Sequence, residues 1–238
     1  MRAEFLKIRS MPTPMWCLIS VVICFVLGFA GVVHWGLGDD ADAADIAIGI
    51  PTLIVSIIFG VWVMGVEFGQ NTLRQALTAD PRRGRLVAYK IAVIVICVSF
   101  LTAAFYLLSL PLYNLAGGGS VDAEILIRAG LSALVNNVTY ALVGFAFALI
   151  TSSMAGGITM ALVFVFVIDS VTSLVSWTED LAMGPALSSI SAEITGTNSD
   201  PFGDTVEKMN TQDVIVVAAW LVVLIGLGTL RFYRSEVK

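Results

Sequence analysis

Charge is scarce in this chain. Of 238 residues only 13% are charged and 58% are hydrophobic, against about 25% charged in an ordinary soluble domain. That excludes a soluble globular domain, and no nucleic-acid partner is expected. Cysteine and histidine are also few. Cys17, Cys24 and Cys97 lie in apolar runs, with no CxxC pair and no clustered ligand set, so they read as small buried hydrophobes rather than a metal or redox centre. His34 is the single histidine. It stands beside Trp35 at the end of an apolar run, where an interfacial position is the simplest reading. A G-x-x-x-x-G-K-[ST] loop is missing, so the chain does not cradle ATP phosphates in that way. There is no repeat at a fixed period and no low-complexity tract. The sequence reads as a single transmembrane domain, 1–238.

What is present is a series of long apolar runs. An α-helix rises about 1.5 Å per residue, so roughly 20 apolar residues cross a bilayer core. The expected fold is an all-α membrane protein with six spans, about 16–35, 46–66, 91–110, 129–150, 158–175 and 214–232. Trp16 and Trp35 flank the first run as an interfacial belt. A cleaved signal peptide is the rival there, but the run is long for an h-region and Ala41-Asp42-Ala43 lies beyond it. Pro51 falls near the start of the second span, and Pro111 is expected to end the third. Thr151 to Gly157 reads as a short turn of small residues. Leu181 to Ile194, which contains Pro185, is too short to span; it is expected either to dip into the membrane before the sixth span or to form a plain surface loop.

Orientation follows from the basic residues. With a cytoplasmic N-terminus and six spans, eleven of the 13 Lys and Arg fall inside: Arg2, Lys7, Arg9, Arg74, Arg82, Arg83, Arg85, Lys90, Arg231, Arg234 and Lys238. Arg128 and Lys208 remain outside. The positive-inside rule therefore predicts a multi-pass protein of the cell membrane with cytoplasmic termini.

The most informative stretch is Glu67 to Lys90, EFGQNTLRQALTADPRRGRLVAYK. A basic residue at the bilayer centre costs about 2.5–3.5 kcal/mol, so this basic island is expected outside the hydrocarbon. Thr72 and Gln75 have capping-box spacing. Leu73 and Leu77 share one helix face. Asp80 and Pro81 are a second start signal, N-cap and N1. The spacing predicts a short amphipathic helix, a sharp turn at Ala79-Asp80, and a new helix running into the third span.

This stretch resembles the junction between the second and third spans of the ABC-2 type permease family. The elements that match are Glu67, Asn71-Thr72, Arg74, Leu77, Pro81, Arg82-Arg83 and Lys90, with Asn71 standing where the family more often has glycine. The N-terminal AEFLKIRS also resembles the start of such permeases. The resemblance implies the membrane subunit of an ATP-driven exporter. Its partners would be ABC ATPase subunits, a second permease copy or a paralogous permease, and the lipid bilayer. ATP and Mg would be bound by the ATPase and no cofactor by this chain, which would not itself be an enzyme. Glu67, Thr72, Leu73, Arg74, Leu77, Pro81, Arg82 and Arg83 would form the coupling helix and its surroundings. The arginines have a second reading, enforcing topology and binding anionic lipid. A non-transporting interaction or immunity protein that binds a peptide or lipid is the alternative function. An intramembrane enzyme is a weaker third, since His34 and Asp169 make no recognisable nucleophile–base set.

Three polar residues inside apolar spans are candidates for the substrate path. Asp169 lies well within the fifth span, where a carboxylate needs a partner or water. The alternative is an Asp169 that is protonated or hydrogen-bonded to a neighbouring helix, with Ser170 and Thr172 as helpers. Asn136 and Asn137, beside Thr139 and Tyr140, sit in the fourth span, where interhelical hydrogen bonding is the competing role. Gly28 and Gly31 would allow close helix approach in the first span.

Overall fold

A computed structural model describes residues 41–69, 83–115, 123–174, 181–196 and 209–234. The described residues are helical, with no strand. In chain order they form α1 (Ala41–Gly69), α2 (Arg83–Leu115), α3 (Ala123–Thr151), α4 (Met154–Val163), a π-helical turn (Phe164–Ile168), α5 (Asp169–Leu174), α6 (Met183–Thr195) and α7 (Thr211–Arg234). Five stretches are long and apolar enough to cross a membrane: Thr52–Gly69, Gly84–Ala104, Ile127–Thr151, Met154–Thr172 and Thr211–Arg234. They correspond to the second through sixth expected spans. The first expected span, with Cys17, Cys24, Gly28, Gly31 and His34, lies outside the described residues.

The expected end of the third span at Pro111 needs correction: α2 continues through Pro111 to Leu115. Proline does not stop a helix whose freed carbonyl finds another partner, and membrane helices tolerate it for that reason. Arg85 and Lys90 lie in the first turns of this helix, as expected of a helix that starts after Pro81 and runs into the third span. At 33 residues α2 is about 50 Å long and exceeds the bilayer core. The turn after α3 is also tighter than Thr151 to Gly157. Ser152 adopts a left-handed φ of 53° and Ser153 caps α4 by accepting the Gly156 N–H at 3.4 Å.

The bundle is organised around α3. Every residue from Thr139 to Leu149 is buried, as expected of a helix that is apolar on all sides. It packs against α1, α2, α4, α6 and α7. Its contact with α1 is backbone to backbone. A Cβ on Gly60 would overlap the Ala141 carbonyl, and one on Gly144 would run into the carbonyl of Ile57. Gly157 brings α4 to the same helix, since a Cβ there would meet Ala148 Cα at 2.9 Å. Without a hydrophobic drive between helices in lipid, such close approach supplies the dispersion contact that holds them. α7 closes the side through Gly228, Phe232 against Phe68 (6.3 Å between centroids) and Trp220 against Phe164 (5.2 Å).

Gly60→Ala is expected to destabilise the protein by about 1–3 kcal/mol despite alanine's better helix propensity, because the added methyl forces α1 and α3 apart. Gly226→Ala, where nothing lies within 4 Å of the new atom, is expected to be neutral or stabilising by up to about 1 kcal/mol. Unfolding of both variants in mixed micelles checks the contrast.

Candidate functional site

Polar groups gather at the two ends of the bundle. At one end α1 finishes and α2 begins. Glu67, on the last turns of α1, reaches Lys90, eight residues into α2. Glu67 Oε1 and Lys90 Nζ are 2.9 Å apart, and the side chains are 1% and 2% exposed. Lys90 Nζ also donates to the Val63 carbonyl at 2.7 Å. The lysine thus neutralises one charge and satisfies one backbone oxygen of α1. Two charges removed from water hold each other only with good geometry and further hydrogen bonds, and the bond to Val63 is one of these. Neighbouring Trp62 is 3% exposed, and its Nε1–H has no hydrogen-bond partner among the described residues. The mates of this end are Met154, the first residue of α4, which packs on Gly65, and the end of α7, where the Tyr233 hydroxyl lies over Gly84.

The other predicted members of this cluster fall elsewhere. Thr72, Leu73, Arg74, Leu77, Pro81 and Arg82 lie outside the described residues. Arg83 is the first residue of α2. Lys90 was counted in the basic island as a charge to be kept from lipid. Its burial is possible because it has Glu67 as counter-ion.

At the opposite end sits Asp169. It follows the π-helical turn directly, and its N–H bonds to the Phe164 carbonyl five residues back. Its carboxylate does not stand alone. Oδ1 accepts the backbone N–H of Met183 at 2.8 Å and of Gly184 at 3.0 Å. These are the first free donors of α6, whose N-cap position is Ala182 and has no side-chain acceptor. A carboxylate from another helix therefore performs the cap, where negative charge also meets the positive end of the helix dipole. Gly184 makes it fit, since a Cβ there would overlap Asp169 Oδ2. Ser170 and Thr172, expected as helpers of the carboxylate, donate their hydroxyls to the carbonyls of Phe166 and Asp169.

The predicted segment Leu181 to Ile194 is thus a helix, α6, with Pro185 in its first turn and Met183, Ala186, Leu187 and Ser189 buried. Two side chains hold it besides Asp169, and a third lies close. Asn136 Nδ2 donates to Ser191 Oγ at 2.7 Å. Trp220 Nε1 of α7 donates to the Leu181 carbonyl at 2.8 Å. The Arg128 guanidinium, paired with Glu124 at 2.7 Å, lies 3.3 Å from where a Cβ on Gly196 would sit. Gly196 ends α6 in a left-handed conformation at φ 75°. Asn137 faces another way, donating to Thr102 Oγ1 of α2 at 3.2 Å. Asp169 and Asn136 therefore converge on α6, and Asn137 does not join them.

Sequence reasoning missed the Glu67–Lys90 contact and the partner of Asp169. The second had a signal. A helix beginning Met183-Gly184-Pro185 behind an alanine has no Ser, Thr, Asp or Asn to cap it, so its acceptor must come from elsewhere. The spacing of Gly60 and Gly144 carried no comparable signal.

No family model, curated protein or solved structure matches this chain. The functional reading rests on its own residues.

Glu67→Gln and Lys90→Met are each expected to lower stability by about 3–5 kcal/mol, because either leaves a buried charge uncompensated. The double variant is expected to lose clearly less than the two combined. A double-mutant unfolding cycle measures this, and additive losses would show that the pair is not coupled.

Proposed function

We propose that this chain is the transmembrane permease subunit of an ATP-driven exporter of the ABC-2 type. It would form the substrate path in the cell membrane with both termini cytoplasmic and residues 16–35 as the first of six spans. A separate ATPase subunit would supply ATP, Mg and the energy, and a second permease copy or a paralogue would complete the path. The observation that carries the reading is the buried Glu67–Lys90 pair. These two residues bracket the stretch that resembles the coupling region of such permeases. Their ion pair joins α1 to α2 just inside that stretch, so force applied to residues 70–82 enters two spans together. A coupling element needs that rigid base to convert a push into a tilt of the spans. The glycine contacts between α1 and α3 then carry the displacement into the centre of the bundle.

Asp169 and Asn136, first weighed as lining the path, act in this reading through α6, which they seat. In this reading the arginines at 82, 83 and 85 would contact the ATPase or the anionic headgroups.

The test is association. Leu73→Asp/Leu77→Asp is expected to weaken binding of a co-purifying Walker-motif ATPase at least about tenfold and to abolish its stimulation. Unchanged binding and stimulation overturn the proposal. So does a wild-type chain that retains no such ATPase after cross-linking in its native membrane, an outcome that favours the non-transporting interaction protein.

A further inference from the structure

α2 and α7 meet at the end of the bundle where α2 begins and α7 finishes. The Tyr233 hydroxyl lies over Gly84 there, 2.7 Å from where a Cβ would stand. The two helices do not stay together. Gly84, Ala88 and Val95 share one face of α2, since steps of four and seven residues return to the same side of a helix. Ala88 and Val95 are exposed. On α7 the matching face runs from Tyr233 to Gly226 and Val222, in the same steps. Nothing lies within 4 Å of a Cβ built on Gly226, and Val222 is 71% exposed. Faces that touch at one end and are open further along define a seam between α2 and α7. From Gly84 to Val95 the helix rises about 16 Å at about 1.5 Å per residue. That is close to one leaflet, half of a bilayer core of about 30 Å.

The mouth of the seam is basic. Arg85 adjoins Gly84 and Arg234 adjoins Tyr233; both arginines are exposed, as is Arg231. Among the described residues the only acidic side chain at this end is Glu67, which is buried against Lys90. Tyr89 and Tyr233 are exposed beside the arginines. Tyrosine takes that position where hydrocarbon gives way to headgroups.

We infer that the seam between α2 and α7 is a binding site for an anionic phospholipid. Arg85 and Arg234 meet the headgroup, and an acyl chain runs down the seam past Ala88 to the open side of Gly226. Charge and shape select this occupant together. An acidic protein segment would suit the basic mouth but not the apolar length below it. A neutral lipid would fill the seam but gain nothing from the mouth. The site requires only that α2 and α7 cross the bilayer, and it does not depend on the ATPase.

Photolabelling of the full-length chain in phosphatidylcholine nanodiscs tests it. One probe is phosphatidylglycerol with a diazirine in its acyl chain, and the other is phosphatidylcholine carrying the same group. At equal mole fraction the anionic probe is expected to label peptides covering 84–96 and 219–230 at least about fivefold more than the neutral one. Arg85→Gln/Arg234→Gln is expected to abolish that preference. Gly226→Leu is expected to lower anionic labelling of the same peptides at least about fivefold while every arginine remains, because the side chain fills the seam. Equal labelling of the wild-type chain by the two probes overturns the inference, whatever becomes of the variants. A preference that survives Gly226→Leu overturns it too, since the arginines would then attract headgroups without a seam. So do cross-links between two copies through 219–230 in place of lipid, which would assign the seam to a second copy of this chain.

Discussion

In an apolar bundle every charge and every loose backbone donor must find its partner within the protein. Water is not there to supply one, and an unmet group costs several kcal/mol. The structure answers that constraint at its two irregular places. Glu67 and Lys90 answer each other. Asp169 and the uncapped start of α6 do likewise, an anion for two free N–H groups. In each case a residue that looks expensive alone becomes a fastener between two elements. The location of these fasteners fixes which elements move as one.

The apolar part of the structure supports this division. Along α3, glycines and alanines let backbones approach until carbonyls lie where a Cβ would be. Contacts of that kind have one good geometry and do not slide. They join α1, α3 and α4 into a unit whose centre is buried from Thr139 to Leu149. α7 and the α4–α5 span lie toward the outside, with Val167, Val171, Val222 and Leu227 exposed among the described residues. Those side chains suit a lipid-facing surface.

Much of this was legible beforehand. Five apolar windows follow from runs of Val, Ile, Leu and Phe long enough for a bilayer, and their order was right. Charge was the harder reading. Each basic residue between 74 and 90 reads in the sequence as an isolated cost, which leaves a buried partner for Lys90 out of view. A lysine's cost depends on its counter-ion, and Glu67 stands 23 positions earlier in the chain, beyond any periodic signal. Pro111 misled in a similar way, since its effect on a helix is set by what surrounds the freed carbonyl. Asp169 was recognised as anomalous from its apolar context alone. Its partner was not, because backbone N–H groups carry no residue identity; only the missing cap before Met183 pointed to it. Residues 70–82, on which the coupling assignment turns, lie outside the described residues.

The two ends of the bundle are therefore fastened by different physics. At the α1–α2 end two full charges meet at 2.9 Å, out of reach of water, with a backbone carbonyl as third member. Separating them means returning two ions to an apolar medium, so that end resists opening. At the α6 end one carboxylate meets two amides, and each donor it releases can be met again by another acceptor or by water from outside the bundle. The difference in penalty is one between breaking a buried ion pair and exchanging hydrogen bonds. A molecule built this way deforms at the α6 end first.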